Sequence, residues 1–127
     1  MNMEKVVFGF FVVLAATLNF GFFLGDLTDV RVHNEYELYA AVVVNLIAVI
    51  LKFGDRTQIG AIHLATSLVA SIQLIAAAVV WVVVSADGAE VGAHAMSSVV
   101  SLSGGALLAN VVSLALLVGE TLSVHRR

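Results

Sequence analysis

Cysteine and proline are both absent from this 127-residue chain, and charge is scarce, with 12% of residues Asp, Glu, Lys or Arg. Without cysteine there is no disulfide framework, thiolate metal site, Cys-x-x-Cys redox pair or thiol nucleophile. Without proline nothing forces a kinked or broken helix, which weighs against transporters whose site is built from interrupted helices. The 6 Lys and Arg residues form no run of the kind that grips phosphate backbones, so no nucleic-acid partner is expected. What fills the chain is apolar: 61% of residues are hydrophobic and mean hydropathy is +1.05. Water-soluble domains carry about a quarter charged residues, so the expected solvent for most of this chain is a lipid bilayer.

Four apolar stretches predict an all-α, polytopic membrane protein with a single domain of four transmembrane helices, at about residues 6–25, 37–53, 59–85 and 94–118. The first stretch has no charge and no small-x-small cleavage pattern at its end, so it reads as a retained helix and not a signal peptide. The second is short for a span. Tyr36 and Tyr39 can mark one interface, and Lys52 can reach the other through its long stem. Gly54-Asp55 marks a tight turn. The third stretch is longer than a span needs, and Trp81 near its far end suits the headgroup level. Gly119-Glu120 leads out of the fourth.

With four spans, Lys5, Lys52, Arg56, Arg126 and Arg127 fall on one side and Arg31 alone on the other. That asymmetry predicts an inner (plasma) membrane protein with both termini cytoplasmic. Most acids fall on the opposite face, which should be anionic and draw cations.

Three of the four spans carry Ala-x-x-x-Asn ahead of a Gly and an acid: Ala15 and Asn19, Ala41 and Asn45, Ala106 and Asn110. Gln73 sits near the centre of the remaining one. At the helical rise Asn19 lies about 10 Å from Asp26 and Asn45 about 12 Å from Glu37, which puts the carboxamides in a loose belt near mid-depth. An unpaired amide in lipid costs several kcal/mol, so the four should face one another, another subunit or water. They are either interhelical glue or the lining of a pore or ligand site. Small residues give a second signal, with Ser67-x-x-x-Ser71 and Ser101-x-x-x-Gly105-x-x-x-Ala109 each placing small side chains on one helix face. So small a unit has little interior of its own, which favours a homo-oligomer.

An outer mouth is expected from Asp26, Asp29, His33, Glu35, Glu37 and His94, although no spacing among them is diagnostic of a metal site and the loop reads more simply as solvated. His63, about one turn inside the third helix, is expected to bond a neighbour in preference to relaying protons. His63 and His94 belong at opposite ends, which rules out bis-histidine haem. No catalytic constellation, metal site or cofactor is expected, and nothing points to an enzyme.

Two families of small four-helix membrane proteins fail on their motifs. Dual-topology fluoride channels carry an arginine-bearing first helix and a Thr-Thr-Phe-Ser-type stretch, and small multidrug exporters a membrane-embedded Glu in the first helix; neither is present. Residues 45–58 (NLIAVILKFGDRTQ) and their continuation to residue 78 resemble a family of uncharacterised small bacterial inner-membrane proteins. That resemblance covers most of the chain and implies four spans with no established activity. The leading expectation is an oligomer that conducts or handles ions, cations by the charge of its mouth, through the amide belt. The competing one is a non-conducting accessory or scaffold subunit bound to another membrane protein such as a channel or transporter.

Overall fold

The computed structural model describes residues 3–24 and 33–125, the side chains of residues 87 and 123–125 excepted. Four α-helices follow one another: α1 (Met3–Phe23), α2 (Glu35–Lys52), α3 (Gln58–Val84) and α4 (Ala93–His125), with a single 3-10 turn (Ala86–Gly88) between the last two. α1, α3 and the Ala93–Leu122 part of α4 are long and apolar enough to cross a membrane. α2 has 18 residues, with Glu35 and Glu37 in its first turn and Lys52 in its last, charges placed to suit the helix dipole at both ends.

The ends are set by local chemistry. Asn34 caps α2, its side chain accepting from the Tyr36 N–H at 2.9 Å. Gly54, at φ +92°, takes the left-handed position that closes α2, a conformation glycine adopts without penalty. Thr57 caps α3 by accepting from the Gly60 N–H at 3.0 Å. α4 runs past the expected end at residue 118 because Gly119 does not break it. Glu120 pairs with Lys5 of α1 at 2.5 Å, and the Thr121 hydroxyl donates to Leu117 O at 2.9 Å, so the extra turns are held from both sides.

Each helix packs against the next and α4 closes back onto α1, giving a ring of four around one axis. The outside is the apolar surface: Phe10, Ile72, Val83 and Leu108 are each at least 60% exposed. This reverses the usual soluble arrangement and suits contact with acyl chains. Inside, apolar residues form two separate clusters. Phe22, Leu38, Leu74, Trp81 and Met96 belong to the larger one, whereas Phe8, Val12 and Ala48, with Leu114 and Leu117, make the smaller one near the chain ends. Trp81 differs from its expected interfacial role: it is buried and turned inward, its ring centroid 5.9 Å from that of Phe22.

The expected small-residue stripe of α4 holds at Gly105, which lies against Gln73, and at Ala109, which packs on the core, but not at Ser101. Ser101 is exposed, and the face that meets the other helices carries Ser103, Ala106, Asn110 and Ser113. Serine marks the inward face poorly because its hydroxyl can bond its own helix, as Ser98 does towards the His94 carbonyl at 3.4 Å.

Candidate functional site: a polar section inside the bundle

On α3 the enclosed face reads His63, Ser67, Ala70, Ser71, Leu74, Ala77 and Trp81, a helical spacing that starts polar and ends apolar. Asn45 on α2, and Asn110 and Ser113 on α4, are also buried. Glu37 against Gly21 and Lys52 against Phe8 fix the register of α2 on α1, which sets Asn45 opposite Ala15. Lys5 with Glu120, and Phe23 against Gly104, fix the register of α4 on α1, which sets Asn110 at that same level. The bundle therefore holds an enclosed polar section at mid-depth.

The sequence-predicted carboxamides behave in four ways. Asn19, fully buried, spans one turn of α4, with Oδ1 accepting from the Leu107 N–H and Nδ2 donating to the Ser103 carbonyl, both at 2.9 Å; the amide orientation follows from those partners. Asn45, also fully buried, donates from Nδ2 to the Ala41 carbonyl at 2.8 Å and leaves Oδ1 without a partner. Asn110 is buried with Nδ2 unpartnered. Gln73 is half-buried, its carboxamide laid against Gly105, and its Oε1 is enclosed and unpartnered. Ala15, Ala41 and Ala106 of the Ala-x-x-x-Asn pattern are all fully enclosed, so the pattern follows the inward face of three helices.

His63 completes the section. Its Nδ1 lies 2.6 Å from Ser113 Oγ across the α3–α4 contact, which is the neighbour bond expected from the sequence. Its Nε2 is enclosed and unpartnered, as is Ser71 Oγ. The edge of Phe8 stands against the imidazole, with centroids 5.0 Å apart, and Lys52 Nζ sits 4.4 Å over the Phe8 ring. Beyond Phe8 a cavity of about 820 Å³ opens at the end of the bundle, lined among others by Lys5, Lys52, Asp55, Thr57 and Glu120. One aromatic ring thus stands between a charged cavity and a buried histidine.

The other end is built differently. Asp26 and Asp29 lie outside the described residues. His33 is not a solvated loop residue: it is buried, with Nδ1 2.5 Å from the Phe22 carbonyl and its ring against that of Phe22. Glu35 accepts from the Tyr39 hydroxyl at 3.1 Å, Glu37 lies on Gly21, and His94 is exposed. Among the described residues no three His, Asp or Glu side chains converge to hold a metal ion. Of the unpartnered atoms, His63 Nε2 and Ser71 Oγ belong to residues that the sequence marks for a neighbour bond and for close helix packing, and not as members of the carboxamide belt. A histidine four residues before a Ser-x-x-x-Ser pair was the available signal.

Asp55 ties the cavity to the start of α3. Hydrogen bonds from the Thr57 hydroxyl at 2.7 Å and the Thr57 N–H at 2.9 Å hold its carboxyl below the usual carboxylate range, with Lys52 adding to the effect at 3.6 Å. A depressed carboxyl stabilises the fold above its unfolded value, about 4, and loses that contribution as pH falls through its folded value. Asp55→Asn should therefore melt earlier than the parent in detergent at pH 7, with the gap narrowing in acid. An equal gap at both pH values would mean that the charge of Asp55 does nothing.

No curated protein and no solved structure matches the chain. A family profile matches residues 32–121, which takes in α2, α3 and nearly all of α4. By that match the chain belongs to the family of unknown function DUF6394.

Proposed function

We propose that this protein handles cations across a membrane, passing them through the polar section enclosed by its own four helices. The observation that supports the reading most is the break in the core. Between two apolar clusters lie Asn45 and Asn110, with His63 against Phe8 of the smaller cluster and Ser71 beside Ala70 of the larger, each buried and each with a polar atom left over. Buried polar groups are nearly always paired, and several orphans along one enclosed stretch are the condition under which water or a transported ion is accommodated. Such a path needs no second copy of the chain, so the homo-oligomer expected from the sequence becomes an accompaniment to the function and not its basis. In this reading α2 is the fourth span, Lys52 marks the cytoplasmic side, and both termini lie there.

Flux into liposomes holding the purified chain is the direct test. Asn45→Leu should cut cation flux at least tenfold, on the order of the cost of facing one apolar wall where an amide stood. A robust flux that Asn45→Leu leaves untouched would remove the polar section from the path.

A second reading has its own observation. Asn19 is spent on the backbone of α4, which is glue and nothing else, and a wholly apolar groove between Tyr39, Val42, Ile75 and Val79 faces outward. An accessory subunit that docks another membrane protein would have both. It would show no flux alone and would leave mild detergent with a partner of defined mass.

A further inference from the structure

We propose that the cation is the proton, carried past His63 on a short file of water and hydroxyl groups, with Phe8 as the ring that closes the cavity end. This rests on the cation-handling reading above and specifies its substrate.

Asn45 Oδ1 and Gln73 Oε1 only accept hydrogen bonds, Asn110 Nδ2 only donates, and Ser71 Oγ and His63 Nε2 can do either. A metal cation stripped of water needs a shell made of oxygens. Here a donating amide lies at the level of Asn45 Oδ1, and among the described residues no carboxylate is buried. An unscreened charge in that setting is costly. Water, which donates and accepts, fits the mixed set. A proton crosses such a file without any single site having to hold a dehydrated ion.

His63 supplies the group that makes the crossing specific. Histidine is the side chain that takes up and gives off protons near neutral pH, and His63 has one ring nitrogen engaged by Ser113 and the other enclosed and unpartnered. Nδ1 and Ser113 Oγ share one proton at 2.6 Å. A proton arriving at Nε2 from the cavity side gives the imidazolium. Loss of the Nδ1 proton towards Ser113 then leaves the opposite neutral tautomer. One N–H bond forms, one breaks, and no electron moves.

The charges facing this ring all stand at the cavity end. They are Lys52 from α2, Asp55 from the following turn and Glu120 from α4, with Lys5 of α1 paired to Glu120. Lys52 and Lys5 each have an acid partner, and Glu4 also lines the cavity, so acids and bases are interleaved there. Phe8 is the barrier at the cavity end, its edge meeting the imidazole and its face the Lys52 ammonium, and the apolar cluster around Phe22, Leu74 and Trp81 stands at the other end.

The test uses the full chain in liposomes carrying an internal pH dye, with the membrane potential clamped, and in parallel with Na⁺ and K⁺ inside. The expected result is proton flux without Na⁺ or K⁺ flux. His63→Gln keeps an amide within reach of Ser113 and should lower proton flux at least tenfold. Phe8→Ala should raise it several-fold, and the gain should vanish in the Phe8→Ala/His63→Gln pair. Because the parent has no cysteine, His63→Cys gives a single thiol, and its reaction with a water-soluble methanethiosulfonate should quicken when Phe8→Ala is added. Na⁺ or K⁺ flux comparable to that of protons would overturn the inference while leaving the cation reading in place, and no flux of any ion would sink both. Undiminished proton flux in folded His63→Gln and His63→Ala would overturn the relay.

Discussion

Asn19→Asp is expected to cost the bundle several kcal/mol at neutral pH, enough to remove most of the folded protein from detergent. The two side chains have nearly the same shape, so packing does not decide the outcome. Asn19 is fully buried and answers both polar groups of one α4 turn, taking a hydrogen bond from Leu107 N–H and giving one to the Ser103 carbonyl. A carboxylate can still accept from Leu107 but has no proton for Ser103, so two negative oxygens face each other in a dry interior. Losing the hydrogen bond alone is worth about 1 kcal/mol, and leaving a buried acceptor unanswered about 1 to 3 more. The unpaired charge outweighs both. Circular dichroism and size-exclusion in mild detergent read the result, with Asn19→Ala as the reference that removes the bonds without adding charge. If Asn19→Asp is as well folded as Asn19→Ala at pH 7, water reaches this position and the interior is not closed there.

The same position shows what the sequence could and could not disclose. Four helices were legible because apolar stretches of the right length are broken by charged turns, and Gly54-Asp55 announced its turn through a residue that accepts positive φ. That the carboxamides avoid lipid was legible too, since an amide in hydrocarbon has nowhere else to go. Their partners were not. Asn19 bonds backbone, which every residue possesses, so no side-chain pattern could point to Ser103 and Leu107. Facing was also obscured: lipid and a helix interface both accept Val, Leu and Ala, so a helix apolar on nearly every side carries little periodic signal. Ser101 and Ser103 of α4 illustrate this, one exposed and one buried in the same short stretch.

His33 and Trp81 were misplaced for a related reason. Each was assigned by the preference of an isolated side chain, a loop histidine for water and an indole for headgroups. In the folded chain both gather around Phe22, which contacts the His33 ring at 5.4 Å and Trp81 at 5.9 Å. One buried aromatic at the end of α1 organises that end of the bundle, and tertiary packing overrides the local preference. The interior was underestimated as well. A ring of four helices encloses a shared axis, and even a chain this short buries Asn19, Asn45, His63 and Asn110 there. The smallness of the residues opposite them, Ala15 and Ala106 among them, makes the room.

Gly105→Leu is expected to be the second severe change, and its interest lies in how it can be undone. A Cβ at Gly105 would stand 2.6 Å from Gln73 Nε2, 2.9 Å from its Oε1 and 3.0 Å from its Cδ, so the whole carboxamide lies flat on the glycine. Leucine at this point must push Gln73 off α4 or part α3 from α4. Overpacking of this kind costs about 1 to 3 kcal/mol, and leucine belongs at the upper end. Against it stands a gain in helix propensity of up to about 1 kcal/mol for replacing glycine. The net is a loss of about 2 kcal/mol, seen as a lower melting temperature in detergent. Gly119 provides the contrast: nothing lies within 4 Å of a Cβ there, so Gly119→Leu keeps the propensity gain and should be neutral or mildly stabilising. Shortening the obstructing side chain tests the cause. Gln73→Ala in the Gly105→Leu background should recover at least half of the loss, a non-additivity that distant residues do not show. Additive losses would mean that the leucine clashes with something other than the amide, and Gln73 would then have no part in holding α3 to α4.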